Sequence, residues 1–174
     1  LVYYDRRLDH LPPRVPLPEG VTCRLAVPED APAVAEVARA AFRGYVGHYH
    51  ADPRLDRAAA DAAYVEWAET SAARPSPDAP VLVAADGTRI LGFVIMRHHS
   101  EEELEVILNA VHPASEGRGI YGSLLADALH LGKGRGAGRM VISTQINNYR
   151  VQRIWSRAGF AHCRSLYTLH KWCF

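Results

Sequence analysis

Gly117-Arg118-Gly119-Ile120-Tyr121-Gly122 stands between an apolar, strand-like run that ends at Val111 and an apolar, helix-like run that continues to Leu131. Glycines at this spacing let the backbone pass close to a ligand. A helix beginning at Gly119 or Ile120 would also point its unsatisfied first-turn N–H groups at an anion. The stretch reads as a phosphate cradle on a strand–loop–helix unit, and the rest of the chain is read outward from it.

Just upstream, Glu103 to Val111 reads as a strand, with Leu104, Val106, Leu108 and Ala110 expected on one face and Glu103, Glu105, Ile107 and Asn109 on the other. Before it, Val81 to Ala85 and Ile90 to His98 read as a hairpin joined at Asp86-Gly87. Asp30 is placed to cap a helix running to Phe42, and Asp56 to start another running to Ala72. Val21 to Ala26 reads as the first strand. Leu8 to Gly20 carries four prolines, so residues 1–20 are expected to be an extended arm ahead of a single domain over 21–174. Downstream of the cradle, Gly119 to Leu131 reads as a helix, Met140 to Thr144 as a strand, Asn148 to Arg157 as a helix, and Phe160 to Cys163 and Leu166 to Trp172 as strands.

With 174 residues and 48% hydrophobic content, the chain suffices for one packed core and is short for two. No apolar run approaches the roughly 18 to 20 residues that span a bilayer, so no membrane role is expected. Tyr3-Tyr4-Asp5-Arg6-Arg7 lacks the apolar run of a signal peptide. Cys23, Cys163 and Cys173 are too scattered for a zinc pattern, which points to reduced thiols and a cytoplasmic setting. The net charge of +1 hides an asymmetry, because all 19 acids lie at or before Asp127, whereas eight of the 20 bases lie after it. A polyanion is expected near that acid-free stretch: a phosphorylated cofactor, a nucleic acid, or an acidic surface of the same fold.

Two templates fit the glycine loop. Gly117-x-Gly119-x-x-Gly122 matches the dinucleotide fingerprint, but that fold opens with its loop and needs an acid about 20 residues later for the ribose. Asp127 is the last acid, and too little chain follows Gly122 to complete a doubly wound sheet. The second template is the pyrophosphate loop of acyl-coenzyme A transferases. From about Val21 onward, the order of elements resembles that of the GNAT superfamily of N-acetyltransferases. The loop is similar to that family's Gln/Arg-x-x-Gly-x-Gly/Ala, with Glu116 in the first position and Tyr121 in the sixth. Asn148-x-x-Val151-x-x-Ile154-Trp155-x-x-x-Gly159-Phe160 resembles a second family motif at matching spacing, in which Trp155 replaces a tyrosine.

The resemblance implies an α/β fold, a central, mostly antiparallel twisted sheet of about six to seven strands flanked by four helices. It also implies acetyl-CoA as co-substrate, held by Asn109, Ala110, Val111, Gly117, Arg118, Gly119, Ile120, Tyr121, Gly122, Ser123, Asn148 and Trp155, with Lys133 and Arg135 on the outer phosphates. Glu105 takes the position where some members place a general base. An indole N–H does not release its proton near neutral pH, so Trp155 cannot replace the family's tyrosine acid; either the thiolate leaves unprotonated, or another group such as Tyr149 or a water serves. The acceptor is a small-molecule amine rather than nucleic acid, with Tyr45, His48, Tyr49 and His50 as its expected contacts. His48-x-His50-x-Asp52 also resembles a metal-binding run, but no further ligand set accompanies it. Tyr49 to Leu55 followed by Tyr64 to Trp67 resembles the matching part of acetyltransferases acting on nucleotide-linked amino sugars. A non-catalytic coenzyme A-binding module is the alternative, and a homodimer is left open.

Overall fold

The computed structural model describes residues 1–173. Seven strands form one sheet: β1 (Val2–Arg7), β2 (Val21–Leu25), β3 (Val81–Asp86), β4 (Arg89–His98), β5 (Glu103–Val111), β6 (Arg139–Thr144) and β7 (Ala161–Ser165). They lie in the order β2-β3-β4-β5-β6-β1-β7. Four α-helices accompany them: α1 (Ala31–Ala41), α2 (Arg57–Ala73), α3 (Ile120–Gly134) and α4 (Tyr149–Arg157). The sheet has two covered faces. Leu124, Leu125 and Leu129 of α3 and Trp155 of α4 pack on one, with Leu104, Val106, Met140 and Ile142. Val34 and Val37 of α1 and Tyr64 and Ala68 of α2 pack on the other, with Val83, Phe93 and Ile95. Burying each large aliphatic chain contributes about 1.5–3 kcal/mol, so the two helix layers fix the sheet between them.

Every neighbouring strand pair is antiparallel except β5 and β6, which run parallel because α3 carries the chain back across the sheet. That pair is short. It runs from Glu103 opposite Arg139 to Val106 opposite Ile142 and then stops. Beyond it β5 follows β4 as far as Val111 opposite Gly92, while β6 follows β1 as far as Thr144 opposite Val2. The two strands therefore part at their C-terminal ends, opening a cleft in the middle of the sheet.

The alternation expected along β5 holds only for its first half. Ile95 lies opposite Leu108 and Met96 opposite Val106, so Ile107 is an extra residue, a β-bulge. Leu104 and Val106 face α3, whereas Ile107, Leu108 and Ala110 face α1 and α2, and Val111 returns to the α3 side. The bulge thus moves Leu108 and Ala110 to the face carrying Glu103 and Glu105.

Both ends of the chain depart from expectation. Val2–Arg7 does not trail as part of an arm; it is paired on both sides, with β6 and β7. The proline-rich stretch after it is strapped along α3. Prolines have no N–H to give, and the carbonyls of Asp9, Pro12 and Val15 accept from Lys133 Nζ (2.7 Å), His130 Nε2 (3.1 Å) and Ser123 Oγ (3.0 Å). At the other end, Leu166 to Trp172 is not a strand. The sheet ends at Ser165, and the following residues cross to the turn between α1 and α2.

Candidate active site

The cradle is built by two left-handed glycines. Gly117 has φ +77° and Gly119 has φ +80°, and a Cβ at either would meet nothing within 4 Å. The space above the loop is open, and glycine is required there for backbone conformation, not for packing. The first bond of the helix runs from the Ser123 N–H to the Gly119 carbonyl (3.1 Å), which leaves the N–H groups of Ile120, Tyr121 and Gly122 as first-turn donors. Gly122 is simply helical. Arg118 is exposed, while Ile120 is buried in the core and anchors the helix start. Ser123 is buried, with its hydroxyl on the Val15 carbonyl, so its side chain faces the strap and not the cradle. Glu116, the acid beside the loop, is turned to Arg150 of α4 (2.6 Å), and this pair ties the loop to that helix.

Lys133 and Arg135 do not stand near the cradle. They lie at the far end of α3, about 20 Å along the helix axis. There they bond the carbonyls of Asp9 and Pro77.

Asn148 stands at the N-cap position of α4, but its side chain makes no capping bond. Its side-chain amide donates to Thr144 Oγ1 (3.1 Å) at the end of β6, fastening the helix to the lip of the cleft. Trp155 is 1% exposed, meets Tyr4 edge-on with centroids 5.6 Å apart, and donates its ring N–H to the Tyr121 hydroxyl (2.7 Å). Burial pushes the Tyr121 phenol well above its ordinary value, with the Trp155 bond a lesser opposing influence. The phenol oxygen of Tyr121 thus satisfies the indole N–H. On β5, Asn109 and Val111 are half-buried and Ala110 is buried, on the part of the strand that β6 has left.

Glu105 sits on the α1–α2 face, half-buried, with its carboxylate 2.6 Å from His99 Nε2. Tyr45 reaches toward the same cleft from the turn after α1, with Thr144 and Gln145 near its hydroxyl. Burial raises the Tyr45 phenol, which keeps it protonated through neutral pH. His48 packs on Tyr49 with ring centroids 4.0 Å apart, and its buried Nδ1 has no partner among the described residues. Burial, with His170 next, holds its imidazole below the usual histidine range. His50 is turned away: its Nδ1 accepts from the Gly47 N–H (3.2 Å) and its Nε2 bonds Asp61 of α2 (2.9 Å). It locks the turn instead of facing an acceptor. Asp52, the third member of the metal-like run, is held by Arg54 and Trp172. Tyr149 is exposed on α4.

Four features of this site lay outside the sequence reading: the Ile107 bulge, His99, Thr144, and the contact of the C-terminal segment with Asp52. The first had no local signal, because Leu108 is apolar on either face. In sequence, Thr144 reads only as the last residue of a strand.

Comparison with known proteins agrees with this layout. The family model described as Acetyltransferase (GNAT) family matches residues 34–160. The spore coat polysaccharide biosynthesis protein SpsD of Bacillus subtilis (strain 168) is 30% identical over 145 residues, covering 83% of this chain and 48% of that protein. A mycothiol acetyltransferase of Actinosynnema mirum is 32% identical over 165 residues, covering 92% of this chain and 51% of that protein. The chain thus spans about half the length of these curated relatives. Among solved structures, a GCN5-related N-acetyltransferase from Sphaerobacter thermophilus superposes with a TM-score of 0.65 at 20% identity, covering 93% of this chain and 48% of that one. The aminoglycoside N-acetyltransferase AAC(6')-Iy in complex with CoA superposes with a TM-score of 0.65 at 16% identity, covering 94% of this chain and 100% of that one.

Proposed function

This chain belongs to the acetyltransferase (GNAT) family, and from that premise we propose that it is an acetyl-CoA-dependent N-acetyltransferase whose acceptor is the primary amine of a nucleotide-linked amino sugar. The observation that supports the reading most is the coincidence of the cleft between β5 and β6 with the open cradle at Gly117 and Gly119. Left-handed glycines, clear space above them and unspent N–H groups suit a pyrophosphate, and the parted strand offers backbone groups to an extended arm. When bound, acetyl-CoA supplies an acetyl group activated as a thioester. Gly117 to Gly122 would hold its pyrophosphate, and Asn109 to Val111 would hold the arm leading to the acetyl group.

Glu105 takes the proton from the acceptor ammonium, directly or through water, so that the amine is neutral when it attacks. Its bond to His99 orients the carboxylate. Trp155 gives no proton, since its N–H is spent on Tyr121. Tyr45 is the half-buried phenol at the lip of the cleft, protonated at neutral pH, and returns a proton to the departing thiolate. His48 and Tyr49 hold the acceptor ring beside it. The amino-sugar reading rests on the Tyr49 to Leu55 segment and on the 30% identity to SpsD, a protein of polysaccharide biosynthesis.

Thiol release from acetyl-CoA, measured over a panel of amines that includes nucleotide-linked amino sugars, tests the activity. Turnover with an amino sugar is expected, and Glu105→Gln should lower kcat by about 10²–10⁴, the usual contribution of a positioned base. Tight acetyl-CoA binding without turnover on any amine would favour a non-catalytic binding module instead.

A further inference from the structure

The C-terminal segment ends in a web of contacts that its exposure elsewhere would not suggest. Tyr167 and Leu169 are almost fully exposed, yet three residues later Trp172 donates its ring N–H to Asp52 at 2.6 Å. Asp52 is buried, its side chain 7% exposed. It also accepts from the Arg54 backbone N–H (3.0 Å), Arg54 Nε (3.1 Å) and Arg54 Nη2 (3.2 Å), and lies 3.4 Å from His170 Nδ1. The Arg54 guanidinium covers the Trp172 ring at 4.6 Å from its centroid. The segment is thus latched by one buried carboxylate to the turn that carries His48 and Tyr49, 120 residues away in sequence.

Between segment and turn lies a cavity of about 330 Å³, lined by Tyr49, Leu55, His170, Lys171 and Trp172. It is a shallow hollow, largely open to solvent. The walls combine partly exposed aromatic rings, Tyr49 at 40% and Trp172 at 38%, with the Lys171 ammonium and the His170 imidazole. Among the described residues no carboxylate lines this hollow, and Asp52, which holds Trp172, already spends both oxygens on Arg54 and Trp172. What remains is a cationic, ring-faced hollow adjoining the acceptor turn, with the His48 and His170 rings 6.2 Å apart.

We propose that this cavity is the acceptor's second subsite and takes a nucleoside diphosphate, with the base against Tyr49 and Trp172 and the phosphates toward Lys171 and His170. Rings offer a π-face to a base, and an ammonium offers charge-assisted bonds to phosphate oxygens. The C-terminal segment is then a specificity determinant, and Asp52 a positioning residue that holds it in place. This inference rests on the acceptor reading given above, and its test separates the two.

Uridine diphosphate is titrated calorimetrically into the full chain saturated with coenzyme A, so that the cradle at Gly117 is already filled. Binding is expected, weaker for uridine alone and for inorganic pyrophosphate alone. Lys171→Ala should weaken it about tenfold, the loss of one charge-assisted bond, and leave coenzyme A affinity unchanged. Trp172→Phe, which keeps a ring but loses the bond to Asp52, should weaken it less than Trp172→Ala. Absence of uridine diphosphate binding at millimolar concentration, or unchanged affinity in Lys171→Ala, would overturn the subsite while coenzyme A binding in the same cell leaves the acetyltransferase reading intact. Failure of coenzyme A to bind would instead strike the acetyltransferase reading itself.

Discussion

Gly119 and Gly122 look alike in sequence, yet the structure assigns them opposite effects on stability. Gly119 holds φ +80° with nothing within 4 Å of a built Cβ, so an alanine there meets no clash and is opposed by backbone conformation alone. A left-handed conformation at an L-residue costs about 1–2 kcal/mol. The smaller entropy of an unfolded alanine returns about 0.4–1 kcal/mol, leaving a net loss of about 1 kcal/mol for Gly119→Ala. Gly122 is helical and also unobstructed, so Gly122→Ala should gain about 0.5–1 kcal/mol. For a chain of this length 1 kcal/mol corresponds to about 2–4 °C in Tm. Calorimetric unfolding of the two variants beside the parent should therefore show Tm moving in opposite directions. Titration with acetyl-CoA should show Gly119→Ala weakened by about tenfold or more, because an alanine that relaxes out of the left-handed region turns the loop N–H groups away. Equal losses of Tm would refute the reasoning. They would mean that Gly122 is required for close helix–strand packing, as the third glycine of a dinucleotide fingerprint is.

Tyr121 and Trp155 form a closed buried pair, so Trp155→Phe or Tyr121→Phe each strands a polar group at a cost of about 1–3 kcal/mol, and the double variant should lose clearly less than the sum. Denaturant unfolding over the cycle checks this, and strict additivity would contradict it. Cys23 has its thiol pushed up to about 12 by burial and the neighbouring Asp127 carboxylate. Iodoacetamide near pH 8 should therefore label the exposed Cys163 and Cys173 and spare Cys23, as read by peptide mass spectrometry. Asp30 and Asp52 are both held below the ordinary carboxylate range, Asp30 chiefly by Arg24, and Asp52 chiefly by Arg54 with Trp172 next. A depressed folded value means that the unfolded chain binds more protons, so their stabilisation is present above about pH 4 and lost as pH falls further. Tm measured from pH 7 to pH 3 should drop below about pH 4, and Asp52→Asn should flatten part of that drop.

Much of the fold was legible because its elements are locally coded. The strand expected over Glu103 to Val111 is observed over those residues, and Asp56 does cap the helix that starts at Arg57, its side chain accepting from the Ala59 N–H. The face assignment along that strand was not legible. Period-two patterning assumes an unbroken pleat, and a sheet covered by helices on both sides leaves apolar residues on either face. Leu166 to Trp172 reads as a strand on the same patterning, but a strand forms only where a partner edge accepts it, and this segment is drawn off the sheet toward Asp52. His50 belongs to the aromatic cluster by position, yet Gly47 and Asp61 take both of its ring nitrogens.

The sequence by itself determined the family and most of the element order from Val21 to Arg157, because glycine conformation, helix capping and apolar periodicity act over a few residues. The tertiary structure alone decided where β1 sits, which way Leu108 and Ala110 face, that the Trp155 N–H is taken by Tyr121, and that Trp172 meets Asp52. Each of these depends on groups far apart in the chain, and their contact follows from burying two helix layers on one sheet, which no local pattern records.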